Sequence, residues 1–245
     1  MTTEFATNPS PQVFGAVHLV LLGVTVLASV LAVWGMRRIQ GVEIRTKILR
    51  RCGWVLLGLA LFQTIWSLLP ANWNIGSALP LHYSDVLRFV PAIALIRQSR
   101  WAVAISYYWG LTLNPQAIIT PHPSILVVPS VDFVLYWVLH ITVFVAPLVL
   151  VWGIGWRPQW RDFWRTYAVA IAWAMVIMPI NVTLGTNYGF VNHPPDGASL
   201  IDWLGPWPIY VVWMAVIAGI LWAVMTWPWV LRHRNVLRVR APDAT

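Results

Sequence analysis

Charge is what this sequence has least of. Only 10% of its 245 residues are charged and 59% are hydrophobic, where an ordinary soluble domain carries about 25% charged residues. That balance excludes a soluble globular domain. Cysteine is almost missing as well. The single Cys52 has no internal disulfide partner, and no CxxC, paired Cys/His cluster or HExxH occurs. Neither a redox staple nor a metal site is expected, and no cofactor is implied. Fixed-period repeats, low-complexity segments and a separate soluble domain are also lacking, so residues 1–245 read as one integral membrane domain.

What is present is a series of apolar runs, each about 20 residues long. That is enough to cross a hydrocarbon core of about 30 Å at 1.5 Å per residue. Seven spans are predicted, roughly 13–36, 52–70, 80–96, 101–118, 131–153, 163–183 and 205–227, followed by a basic tail over 228–245. The fold class is therefore an all-α polytopic bundle. No basic residues precede the first apolar run, so it reads as a retained span and not as a cleaved signal peptide.

The net charge is +8, yet the cations gather at span ends and do not form a nucleic-acid footprint. Arg37, Arg38, Arg45, Lys47, Arg50 and Arg51 lie between the first two spans, and Arg97 and Arg100 between the third and fourth. Arg157, Arg161 and Arg165 follow the fifth, and Arg232, Arg234, Arg238 and Arg240 lie in the tail. The intervening loops, near 71–79, 119–130 and 184–204, have none. The positive-inside rule then puts the N-terminus outside and the C-terminus in the cytoplasm of a plasma-membrane protein. Trp101, Trp152, Trp156, Trp203, Trp207, Trp227 and Trp229, near span ends, fit interfacial belts.

Ionisable groups within spans are costly and mark candidate sites. The third span opens Leu79-Pro80-Leu81-His82-Tyr83-Ser84-Asp85 and carries Arg88; His82 and Asp85 are neighbours at i, i+3, and Ser84 and Arg88 at i, i+4. The fifth carries Asp132, Tyr136 and His140 as one polar stripe. Counted from Pro80 and Asp132, Arg88 and His140 each lie about 12 Å deep and Ser84 about 6 Å. Gln116 and Asn114 on the fourth span, Asn181 on the sixth, and Asn187 and Tyr188 in the loop beyond approach from the same side. Pro115 and Pro179 are expected to interrupt helix there and leave backbone groups facing a wet pocket. His18 is expected at the interface and Asp132 as the N-cap of the fifth span.

A hydroxyl, an imidazole and nearby donors permit acyl chemistry: His140 takes the Ser84 proton, and amide or arginine donors stabilise the oxyanion. The same polar groups suit a buried ion pair of Asp85 with Arg88. They also suit a proton-coupled or anion-binding path through Asp85, Arg88, Asp132 and His140, or haem ligation by His82 and His140 or His18.

The segments LPLHYSD (79–85), YYWGL (107–111), QAIITP (116–121), the mid-span His140, GTNYGF (185–190) and GPWPIY (205–210) together resemble the YwaF-type bacterial integral membrane proteins. They are also similar to the eukaryotic transmembrane acyltransferase of ether phospholipids. Its architecture is more distantly similar to the androgen-induced hydrolases of fatty-acid esters. The resemblance implies a helical bundle with an intramembrane nucleophile and a histidine. Ser84 stands where the eukaryotic relative has its acyl-carrying cysteine, and His140 matches the histidine of the later helix. The implied activity is acyl hydrolysis or acyl transfer on a membrane lipid ester in the outer half of the bilayer. Ser84 and His140 would be catalytic, with His82, Asp85, Arg88, Tyr136, Gln116, Asn181, Asn187 and Tyr188 binding or supporting. The alternative is a non-enzymatic protein that binds or transports lipid or ions.

Overall fold

A computed structural model describes residues 13–128, 130–195 and 200–240. Helix α1 runs Ala16–Arg38 and α2 Val42–Leu68. Next come α3 (Tyr83–Arg97), α4 (Arg100–Thr112) and the short α5 (Asn114–Ile119). Helix α6 spans Val131–Leu148, α7 Trp160–Leu184 and α8 Ile209–Arg240. Each predicted span overlaps a helical segment, the fourth α4 and α5 together, in an all-helical polytopic membrane protein. Five helices are long and apolar enough to cross a membrane; α3 and α4 are not among them.

Those two short helices form the hairpin at the centre. With 15 and 13 residues they are about 22 and 20 Å long. Ala92, Ala94, Ala102 and Tyr108 on them are fully buried, and α2, α6 and α7 pack against the pair. Small residues permit the close approach. A methyl group on Gly53 of α2 would come within 2.7 Å of the Ile96 side chain and 2.9 Å of the Ala92 carbonyl. The outer helices instead turn apolar side chains outward, among them Val20, Val26, Val55 and Val224, as contact with lipid requires.

Several boundaries differ from expectation. Helix α2 begins at Val42 and not near 52, because Gly41 (φ 87°) sets the turn and the charged residues that follow are good helix formers. Helix α8 continues through Pro228 to Arg240, through most of the stretch read as a tail. Pro179 lies within an uninterrupted α7, whereas the chain does break at Leu113 before Asn114-Pro115. The N-cap of α6 is Ser130, whose Oγ accepts from the Phe133 N–H at 3.0 Å, not Asp132. Asp132 accepts from Trp66 Nε1 at 3.0 Å and ties α2 to α6. His18 is fully buried and not interfacial: its Nδ1 accepts from the Phe14 N–H at 2.9 Å and its Nε2 meets the Ile118 carbonyl at 2.8 Å. Beyond Pro147, α6 widens into a π-helical turn over Val149–Gly153 that packs on α1.

Candidate functional site

The first turn of α3 is held from two sides. Within the helix, the His82 backbone N–H donates to Asp85 Oδ2 at 2.8 Å, and Asp85 Oδ1 pairs with Arg88 at 2.8 Å. From outside, the 185–193 loop clasps the turn. The Gly189 N–H donates to His82 Nδ1 at 3.1 Å, and the His82 ring meets Tyr188 edge-on with centroids 4.9 Å apart. Tyr188 Oη accepts from the Leu79 N–H at 3.2 Å and donates to the Ile75 carbonyl. Burial holds the Tyr188 phenol above its ordinary pKa, so it remains neutral and able to donate.

Asn181 and Asn187 build that loop. Asn181 Nδ2 donates to the Tyr188 carbonyl at 3.0 Å and to Asn192 Oδ1 at 2.7 Å. Its Oδ1 accepts from the Tyr188 N–H at 2.7 Å and from Thr186 Oγ1 at 3.0 Å. Asn187 Nδ2 donates to the His193 carbonyl at 2.7 Å, while its Oδ1 accepts from the N–H groups of Asn192 and His193. Both amides are thus spent on loop geometry. Such groups position a neighbour, and Asn181 has no donor left for a substrate.

The second half of the site is the stripe on α6. His140 is 7% exposed, and its Nδ1 lies 2.7 Å from the Tyr136 carbonyl. A carbonyl oxygen only accepts, so Nδ1 carries the proton and Nε2 of the neutral ring keeps its lone pair. Among the described residues nothing bonds to that Nε2. The Tyr136 ring packs on the imidazole with centroids 4.0 Å apart, and its hydroxyl donates to the Ala117 carbonyl at 2.7 Å. Asn114, 3% exposed, donates through Nδ2 to the His140 carbonyl at 2.9 Å. The turn that Pro115 forces at the start of α5 thereby fixes the height of His140. By contrast His18 and His82 both have their Nδ1 lone pair occupied, and the His82 ring also engages the Gly76 backbone.

Arg88 joins the two halves. It lies near enough to act electrostatically on both Tyr136 and His140. Its Nε is buried without a hydrogen-bond partner. Ser84 is one turn nearer the start of α3 on the same face, half-buried, with no hydrogen bond from its hydroxyl to a described residue. Ser84 and His140 are not hydrogen-bonded to each other. Counted from the caps His82 and Ser130, Arg88 and Tyr136 are each six residues in, Ser84 two and His140 ten. By that count Ser84 and His140 are offset by about 12 Å along their helices. Gln116 is exposed and contributes no side-chain contact here.

A recess of about 490 Å3 opens beside Phe62, Ser130, Val131, Val134 and Leu135, and neither Ser84 nor His140 lines it. At about 100° per residue, its α6 residues lie on the opposite face from Tyr136 and His140. Sequence reasoning missed Asn114 as the residue that fixes His140. It also missed the Arg100–Asp162 pair at the other end of the bundle, with contacts of 2.8 and 2.5 Å. The first signal was there in Asn-Pro at a helix break; the second joins residues 62 apart and had none.

A family model, the TMEM164 family, matches residues 13–226. No curated protein matches the chain, and neither does any solved structure. The chain belongs to the TMEM164 family.

Proposed function

We propose that this TMEM164-family protein is an intramembrane acyl hydrolase or acyltransferase that acts on a membrane lipid ester through Ser84 and His140. The observation that carries the reading is the state of His140: a buried imidazole whose proton is fixed on Nδ1, leaving Nε2 as a base beside a guanidinium. A neutral imidazole with a free lone pair is the form that a general base requires. The lipid enters laterally, its chains among the helices. Ser84 Oγ attacks the ester carbonyl, His140 Nε2 takes the hydroxyl proton, and free Arg88 N–H groups receive the oxyanion. On collapse, His140 returns the proton to the departing alcohol and an acyl-serine remains. Water or a second lipid hydroxyl then releases the acyl group by the reverse transfers.

Ser84 and His140 share no hydrogen bond at rest, and catalytic hydrogen bonds often tighten only in the complex with substrate. His82, Asn181, Asn187 and Tyr188 hold the first turn of α3 in place for that step. We place the arginine-rich loops in the cytoplasm and the N-terminus outside, which puts the ester in the outer half of the plasma membrane. A non-enzymatic lipid- or ion-binding protein is the second reading, favoured by the buried Asp85–Arg88 charge pair.

Labelling by a fluorophosphonate probe, read by intact mass, separates the two. Label is expected on the wild type and not on Ser84→Ala. With a lipid-ester substrate, Ser84→Ala and His140→Ala should each remove nearly all turnover, and the double variant should be little worse, because members of one catalytic unit are not additive. Ser84→Cys should keep turnover and become sensitive to alkylation. Ordinary turnover by Ser84→Ala would sink the covalent mechanism.

A further inference from the structure

The arginine-rich end of the bundle carries a second recess, of about 490 Å3, independent of the site above. It is lined by Tyr107 and Leu111 of α4, Trp152 of the π-turn, and Met225, Pro228 and Trp229 of α8. That volume lies within the range of about 300–1,000 Å3 usual for small-ligand sites. The Tyr107 hydroxyl in its wall is already engaged: it donates to the Met225 carbonyl at 3.2 Å and accepts from Trp229 Nε1 at 3.3 Å. What fills such a space is hydrocarbon.

A cation is fixed at the same place. Arg37 Nε donates to the Trp152 carbonyl at 2.7 Å, so the guanidinium is anchored on the backbone of a residue that lines the recess. The Arg37 side chain is exposed, and it has no carboxylate partner among the described residues, where the ion pairs are Lys47–Glu43, Arg88–Asp85 and Arg100–Asp162. With Nε held, the terminal N–H groups form an oriented fork of the kind that matches phosphate oxygens. An apolar, aromatic recess beside an unneutralised arginine is complementary to an amphiphile with a hydrocarbon chain and an anionic head.

We propose that Arg37 and this recess form a binding site for an anionic glycerophospholipid, with one acyl chain against Tyr107, Trp152 and Trp229 and the phosphate on Arg37. The site is apart from Ser84 and His140 and needs no catalysis there.

The test gives the purified full-length protein, in detergent, equal amounts of dioleoylphosphatidylglycerol and dioleoylphosphatidylcholine, and reads retained lipid by native mass spectrometry. The anionic lipid is expected to be retained about fivefold over the zwitterionic one, as one arginine near a membrane surface supplies. Arg37→Gln should bring the ratio close to one with an unchanged melting temperature, since the side chain is exposed. Leu111→Phe, which fills the recess, should lower retention of both lipids, and Met225→Phe serves the same purpose if the first fails to fold. Ser84→Ala should keep the preference. Equal retention of the two lipids by the wild type, or an undiminished preference in Arg37→Gln, overturns the phosphate contact. Unchanged retention after filling the recess overturns the chain site.

Discussion

At the scale of single residues, the site depends on which polar atoms are already occupied. Of His18, His82 and His140, only His140 has a ring nitrogen left over, because His18 and His82 use their Nδ1 lone pairs to order backbone. Asp85 is nearly buried and Arg88 mostly so, with side-chain exposures of 5% and 19%. Removing one partner of such a pair strands a charge and costs about 3–5 kcal/mol, whereas replacing both by apolar groups is often neutral. Asp85→Leu and Arg88→Leu are therefore each expected to lower the melting temperature and folded yield in detergent sharply. The double variant should recover most of the loss, short of about 1 kcal/mol for the backbone cap that Asp85 gives His82. Melting temperatures that simply add would show that the two side chains do not act as a unit. If instead Arg88→Leu melts normally but no longer turns over lipid, the arginine serves the reaction and not the packing.

At the scale of elements, the decisive contact is the loop after α7 against the start of α3. Gly189 makes it possible: its φ is +68°, and a methyl group there would lie 2.4 Å from the Trp173 ring, itself packed on Tyr83 with centroids 3.8 Å apart. Gly189→Ala thus meets both a left-handed backbone and an indole packed on Tyr83, and about 2–3 kcal/mol of destabilisation is expected. A thermal melt should show it, with partial recovery when Trp173→Phe is added. Gly58→Ala is the control, since nothing lies within 4 Å of that position; a similar loss there would mean the Gly189 effect is not steric. The same loop holds His82 and Tyr188, so Gly189→Ala should also impair Ser84 labelling, without touching the nucleophile.

At the scale of the whole molecule, five membrane-length helices surround a shorter hairpin, and the arginines mark one end. With Cys52, which is free and exposed, first replaced by serine, a cysteine at Asn74 should react with an impermeant maleimide in intact cells. One at Lys47 should not. Both positions are exposed, so burial does not confound the result, and the reverse pattern would invert the proposed orientation.

The sequence by itself determined the helical class, the succession of segments and the polar residues worth following, because hydropathy and charge are properties of each position and survive without a partner. It placed His82, Asp85 and Arg88 on successive turns of one helix and Tyr136 beside His140, since helical spacing makes those residues neighbours. It did not determine that Asn181 and Asn187 spend their amides on a loop, that Asn114 grips the His140 carbonyl, or that His18 is buried. The last two depend on an acceptor far along the chain, Asn114 and His140 being 26 residues apart and His18 and Ile118 100 apart, whereas the asparagine bonds close within an irregular loop that helical spacing does not describe. Helix ends shifted for a related reason. A charged run reads as a loop by hydropathy, yet Val42 to Arg51 is helix because the backbone bonds to itself whatever the side chains carry. Only the tertiary structure decided which donors remain free, because a hydrogen bond once made is unavailable elsewhere. That left Arg88 in the interior, and Arg37 at the arginine-rich end, with N–H groups to give.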